Sequence, residues 1–89
     1  MNMHADSQAI SDKAFPLALG QNGEVLKLCA FQLGKGLSRR LAGLGLHLGS
    51  TVRILHRQGN GSVVVERDNN RVALGAAMTR KILVAHQPA

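Results

Sequence analysis

The sequence predicts a mainly β protein, a small antiparallel β-barrel of about five strands with one short α-helix. Five short stretches rich in aliphatic and β-branched residues follow one another at close spacing. Two of their connections, Gly59-Asn60-Gly61 and Asn69-Asn70, have the composition of tight hairpin turns. Closure suits a chain of 89 residues, because a closed sheet has no exposed strand edges.

The length allows one domain with a modest core. No apolar run approaches the roughly 20 residues of a membrane-spanning helix, and the polar start of the chain does not resemble a secretory signal. The single cysteine, Cys29, excludes an internal disulfide and is typical of a reducing compartment. We therefore expect a cytoplasmic protein with a flexible segment at residues 1–14, a folded domain at 15–86 and a tail at 87–89.

The charge is strongly basic, with a formal net charge of +6 at pH 7. Nucleic acid, an anionic membrane surface and an acidic protein are the three partners that such a charge favours. Phe15 and Phe31 are the two aromatic residues, too few for surfaces that stack bases or bind proline-rich peptides. A nucleic-acid-binding barrel is an alternative that rests on charge alone. It predicts binding that weakens about ten-fold or more between about 50 and 200 mM salt.

The first half of the chain begins with a hydrophobic entry at residues 15–19 and a turn cluster at 20–23. Residues 24–32 predict the first strand. Both of its faces are partly apolar, so we expect it to be largely buried. Cys29 lies in the middle of this strand and is expected to pack as a small hydrophobic residue.

A short helix is predicted at about residues 36–44. Leu37, Leu41 and Leu44 are spaced at i, i+4 and i+7, which places them on one helix face directed to the core. Gly45 follows the last of these leucines, at a position where helices commonly end in the left-handed conformation.

The exposed side of this helix carries two adjacent basic residues. Arg39 and Arg40 cannot join the leucine face, so they point toward solvent or a partner. After the helix, Leu46 and Leu48 alternate around His47 before the chain enters the next strand.

The second half of the chain alternates apolar and polar residues, as half-buried strands do. Strands are predicted at residues 51–58, 62–68, 71–74 and 81–85, with a single 3₁₀ turn at about 76–79. Glu66 is expected to point outward. The residues expected to point inward are Val52, Ile54, Val63, Val65, Val72 and Leu74.

The run KGLSRRLAGLGLHLGSTV at residues 35–52 resembles the signature of the FeoA family. That signature has a small-residue turn, an Arg-Arg-Leu element, a Leu-Gly-Leu/Phe-x-x-Gly element and a β-branched strand. Upstream, Leu17, Leu19 and Gly23-Glu24 resemble the opening of the family pattern, and residues 71–75 and 77–84 resemble its closing segments. The chain departs from the pattern in its longer polar start and in His47 and His56, where the family has no required histidine.

The resemblance implies an SH3-like barrel and a small, non-enzymatic accessory protein of bacterial ferrous iron uptake. It implies a FeoB-type transporter as the partner, bound through its cytoplasmic G-protein domain or its membrane part, and no nucleic acid. The protein would be cytoplasmic and would reach the inner membrane through this partner. Similar domains also occur fused to iron-dependent repressors.

The expected contact surface consists of Lys35, Arg39, Arg40, Leu46 and His47. The two arginines would face an acidic partner or a phosphate, with an arginine finger toward a G domain as a minority hypothesis. Alternatively, they form a solvated helix face. Leucines beside the basic helix would also allow a homodimer.

A required cofactor or metal is not expected. The weak metal candidates are His4, Asp6, His47 and His56, since no two ligand residues fall at a spacing that defines a site. Weak or adventitious binding of Fe²⁺ or Zn²⁺ would be compatible with them, and a direct metal sensor or iron chaperone is a further alternative. No nucleophile and base stand in a recognisable arrangement, so the sequence predicts no catalysis.

Overall fold

The computed structural model describes residues 13–32 and 35–86, and of Lys35 and Leu37 only the backbone. Apart from residues 13 and 14, the predicted N-terminal segment and the tail at 87–89 therefore lie outside the described residues. The elements are β1 (Phe15–Pro16), a 3₁₀ helix (Leu17–Leu19), β2 (Val25–Phe31), α1 (Lys35–Gly43), β3 (Thr51–Arg57), β4 (Val63–Arg67), β5 (Asn70–Leu74), α2 (Ala76–Thr79) and β6 (Ile82–His86).

One antiparallel sheet with the strand order β1-β6-β2-β3-β4-β5 confirms the mainly β prediction. It has six strands rather than five, because Phe15 and Pro16 pair with Val84 and Leu83 of β6. The predicted closure was wrong: within the described residues, β1 and β5 are the two edges of an open sheet. β1 has two residues, and one of them is a proline, which has no N–H. This edge therefore has few main-chain groups with which a further strand could form hydrogen bonds.

The core lies on one face of this sheet, and Leu17 of the 3₁₀ helix and Leu41 of α1 are part of it. The alternation predicted for β3, β4 and β5 is confirmed, since every residue expected to point inward is buried. Thirteen residues form the core cluster: Leu17, Leu26, Leu28, Leu41, Leu46, Val52, Ile54, Val63, Val65, Val72, Leu74, Ile82 and Val84.

Strand β2 differs from its prediction. It is buried on one face only, because Val25 and Lys27 are exposed while Leu26 and Leu28 are buried. At Cys29 the pairing with β6 shifts register, as in a β-bulge. This residue is half-buried, so it lies at the margin of the core rather than within it.

The β4–β5 hairpin turns one residue earlier than predicted. Asp68 and Asn69 have φ angles of 51° and 68°, and Arg67 pairs with Asn70 across them. Two central residues with positive φ match the right-handed twist of the flanking strands. The element at residues 76–79 is also different, a turn of α-helix rather than 3₁₀ helix.

Candidate docking surface

Helix α1 ends in a motif that fixes its orientation on the sheet. The Leu46 N–H donates to the Leu41 carbonyl and the Gly45 N–H donates to the Ala42 carbonyl, both at 2.9 Å. Gly45 has a φ of 81°, which confirms the predicted helix end and defines a Schellman motif. The hydrophobic contact of this motif joins Leu41 and Leu46, which are 0% and 1% exposed.

The helix face prediction therefore needs correction at Leu44. Its side chain is 46% exposed, because the helix ends there and the chain turns at Gly45. Leu46 takes the place in the core that the helical spacing assigned to Leu44. The side chain of Leu46 is buried in the core, and Leu46 also lines the inner side of the groove described below. Its role as a contact residue stays a prediction.

Arg39 and Arg40 are exposed on α1, as predicted. Within residues 13–32 and 35–86, neither guanidinium forms an ion pair. Arg40 lies in the last helical turn, where a positive charge is favourable to the helix dipole. Both charges are therefore available to an external group.

A shallow groove of about 530 Å³ runs beside this basic helix. Its lining comes from the end of β2, from α1 and from the loop that follows α1. The lining residues are Phe31, Ser38, Arg39, Ala42, Leu46, His47 and Leu48. Leu48 is 60% exposed, so an apolar side chain stands at the margin of the groove in contact with water.

The loop that carries His47 and Leu48 is fixed by hydrogen bonds. The His47 N–H donates to the Ser50 hydroxyl at 3.0 Å, and the Ser50 N–H donates to the His47 carbonyl at 2.9 Å. The Gly49 N–H donates to the Leu28 carbonyl of β2 at 2.8 Å. The side of the groove that this loop forms is therefore held in place by the main chain.

Of the five predicted contact residues, Arg39, Leu46 and His47 line the groove, and Arg40 lies on the same helix. For Lys35 the structure describes the backbone alone. Sequence reasoning missed Phe31, Ser38, Ala42 and Leu48. Of these residues, only Leu48 could have been recognised from the sequence. It is an aliphatic residue directly before a glycine turn, a position where side chains seldom pack in the core, so an exposed role could have been inferred.

A family model described as the FeoA domain matches residues 15–86. The chain belongs to the FeoA domain family. A Methanocaldococcus jannaschii protein, named as an Fe(2+) transport protein A, is 30% identical over 70 residues, which cover 79% of this chain and 84% of that protein.

Solved structures show the same fold. The crystal structure of an iron uptake regulatory protein, FeoA, has a TM-score of 0.76 at 20% identity and covers 83% of this chain and 99% of that chain. A manganese-dependent transcriptional repressor in complex with manganese has a TM-score of 0.75 at 25% identity. The match covers 83% of this chain and 37% of the repressor. The SH3-like fold that the resemblance implied is confirmed.

The metal candidates of this FeoA-family chain are not brought together. His47 lines the groove, and His56 lines a separate cavity formed by β3, β4 and β5. His4 and Asp6 lie outside the described residues. In the part of the chain that the structure describes, no three His, Cys, Asp or Glu side chains cluster as metal ligands would. Weak binding of Fe²⁺ or Zn²⁺ stays a prediction, as does the homodimer. None of the described helices is long and apolar enough to cross a membrane.

An ion pair between Glu24 and His86 joins the start of β2 to the end of β6, away from the groove. The Glu24 carboxylate contacts Nε2 of His86 and accepts a 2.6 Å hydrogen bond from the Gln21 N–H. The Phe15 ring lies 5.2 Å from the imidazole, between centroids. The Gln21 N–H, and then His86, lower the pKa of Glu24 below its usual range.

We expect Glu24→Gln to lower the free energy of unfolding at pH 6 by about 1 kcal/mol or less, the range of exposed ion pairs. A lowered carboxyl pKa stabilises the fold above the unfolded-state pKa of about 4.3, and this contribution is lost as pH falls through the folded-state pKa. Urea denaturation of both proteins between pH 6 and pH 3 would test this. The two curves should converge toward low pH, and a constant difference would contradict a role for the ionised carboxylate.

Proposed function

We propose that this chain is a non-enzymatic accessory protein of ferrous iron uptake. It binds the cytoplasmic part of a FeoB-type transporter and modulates transport, and so acts in the cytoplasm at the membrane face. The family assignment supports the link to iron uptake, as does the name of the M. jannaschii relative. The observation that carries the binding role is the basic helix α1, whose two arginines are exposed and unpaired among the described residues.

The charge distribution supports an acidic partner. The chain has eleven Lys and Arg residues against five Asp and Glu residues. None of the three described acids, Glu24, Glu66 and Asp68, lines the groove beside α1. A partner with a negative surface would be attracted before contact and oriented toward this helix.

Binding to the transporter can be tested with its cytoplasmic domain immobilised and the metal-free chain in solution. We expect retention at about 150 mM salt, where surface charges are partly screened. A small basic protein of similar net charge is the control for attraction by charge alone. Absence of retention in both guanine nucleotide states, with and without Fe²⁺, would contradict binding to this domain.

A further inference from the structure

We propose that the groove beside α1 binds an acidic segment of a protein partner, with one apolar side chain seated in the groove and carboxylates on Arg39 and Arg40. This inference rests on the proposed function for the identity of that partner. It extends the contact surface to Phe31, Ala42 and Leu48.

The apolar part of the groove is built from three elements. Phe31 packs against the core from the end of β2, and Ala42 is exposed on α1. Leu48 projects from the loop with 60% of its surface in contact with water. An aliphatic side chain entering between them would remove apolar surface of both molecules from water, which is favourable in proportion to the area buried.

The polar part of the groove selects negative charge. Arg39 lines it, Arg40 follows on the same helix, and no described lining residue is acidic. Guanidinium groups bind carboxylates in bidentate geometry, which fixes orientation as well as adding attraction. Ser38 lines the same groove and offers a hydroxyl to the main chain of a bound segment.

The described acids are matched with basic groups elsewhere in the fold. Glu24 pairs with His86, and Asp68 lies 3.9 Å from the Arg67 guanidinium. Glu66 stands in register between arginines of the neighbouring strands β3 and β5. The arginines of α1 therefore have no competing carboxylate among the described residues.

The lining disfavours a proline-rich occupant. Surfaces that bind proline-rich segments use several aromatic rings, whereas Phe31 is the one aromatic residue of this groove and the chain has no Trp or Tyr. The groove is shallow, so an anionic membrane is the alternative occupant that the vesicle experiment below distinguishes from a peptide.

A library of displayed peptides of about 12 residues, selected on the immobilised chain, identifies the occupant directly. We expect enrichment of sequences with Leu, Ile, Met or Phe flanked by Asp or Glu. Fluorescence anisotropy of the best peptide should show Leu48→Ser weakening binding about five-fold or more. The matched control is Leu19→Ser, because Leu19 is 59% exposed but does not line the groove, and its affinity should equal that of the wild type.

Three results would overturn the inference: no enrichment, enrichment of proline-rich or basic peptides, or equal effects of the two serine variants. Binding of the chain to phosphatidylglycerol vesicles that depends on Leu48, without peptide binding, would assign the groove to a membrane instead. The proposed function fails separately. If the transporter domain retains the Leu48→Ser variant as well as the wild type, the groove is not the contact surface, but the transporter stays the partner. If the chain binds the peptide but is not retained by the transporter domain, the groove stays a peptide-binding site, but the transporter is not the partner.

Discussion

Reversing both charges in the variant Arg39→Glu with Arg40→Glu is expected to weaken binding to the transporter's cytoplasmic domain by at least about ten-fold at physiological salt. Each exposed charge pair contributes about 0.2–1 kcal/mol, and reversal replaces two attractions with two repulsions. Both side chains are exposed and form no ion pair among the described residues, so the fold should persist. Calorimetric titration measures the affinity, and circular dichroism on heating checks the fold.

The matched control for this variant is Lys27→Glu with Arg80→Glu. It changes the net charge by the same amount at exposed positions outside the groove. Its affinity should fall only modestly, through the weaker long-range attraction that net charge supplies. Equal losses in both variants would mean that net charge governs binding, and would remove α1 as the contact surface.

The salt dependence of binding gives the same distinction. Charges at a surface are screened over about 8 Å at physiological ionic strength, so a purely electrostatic contact weakens as salt rises. An apolar side chain buried in the groove is much less sensitive to salt. We therefore expect the affinity of the wild type for the transporter domain to decline with rising salt and then to level off at a plateau. The affinity of the Arg39→Glu, Arg40→Glu variant should lie near that plateau value even at low salt.

The fold could be predicted wherever one face of a strand is buried. In β3 and β4, buried residues alternate with more exposed ones, as Val52 and Ile54 and Val63 and Val65 do. This alternation fixes the strand register, because a shift of one residue would turn the buried pair toward solvent. The edges of the sheet could not be predicted in this way. A strand of two residues such as β1 shows no alternation, so neither its pairing with β6 nor the open sheet was visible in the sequence.

The candidate site was predictable in its charges but not in its shape. Two adjacent arginines on a helix with apolar residues on its other side have to face solvent, as Arg39 and Arg40 do. The groove depends on Phe31, which lies in β2 just after the register shift at Cys29. No local pattern reports such a shift, so the apolar half of the surface emerged only from the structure.

Helical spacing assigned Leu41 and Leu44 the same role, and the structure separates them. Leu41 is 0% exposed and forms the hydrophobic contact of the Schellman motif, whereas Leu44 is 46% exposed. We expect Leu41→Ala to lower the free energy of unfolding by about 2–5 kcal/mol, through lost burial and the cavity left behind. That is a large fraction of the roughly 5–15 kcal/mol that stabilises a small domain.

Leu44→Ala is the matched control, with an expected cost below about 1 kcal/mol because Leu44 is already nearly half exposed to water. Urea denaturation of the three proteins at one temperature measures both differences. Similar costs for the two variants would contradict the helix end at Gly45, since they would require Leu44 to pack in the core.

The same pair of variants also tests the docking surface. Leu41 anchors the helix that carries Arg39 and Arg40, so at temperatures where Leu41→Ala loosens α1, partner binding should weaken, while Leu44→Ala should leave it unchanged.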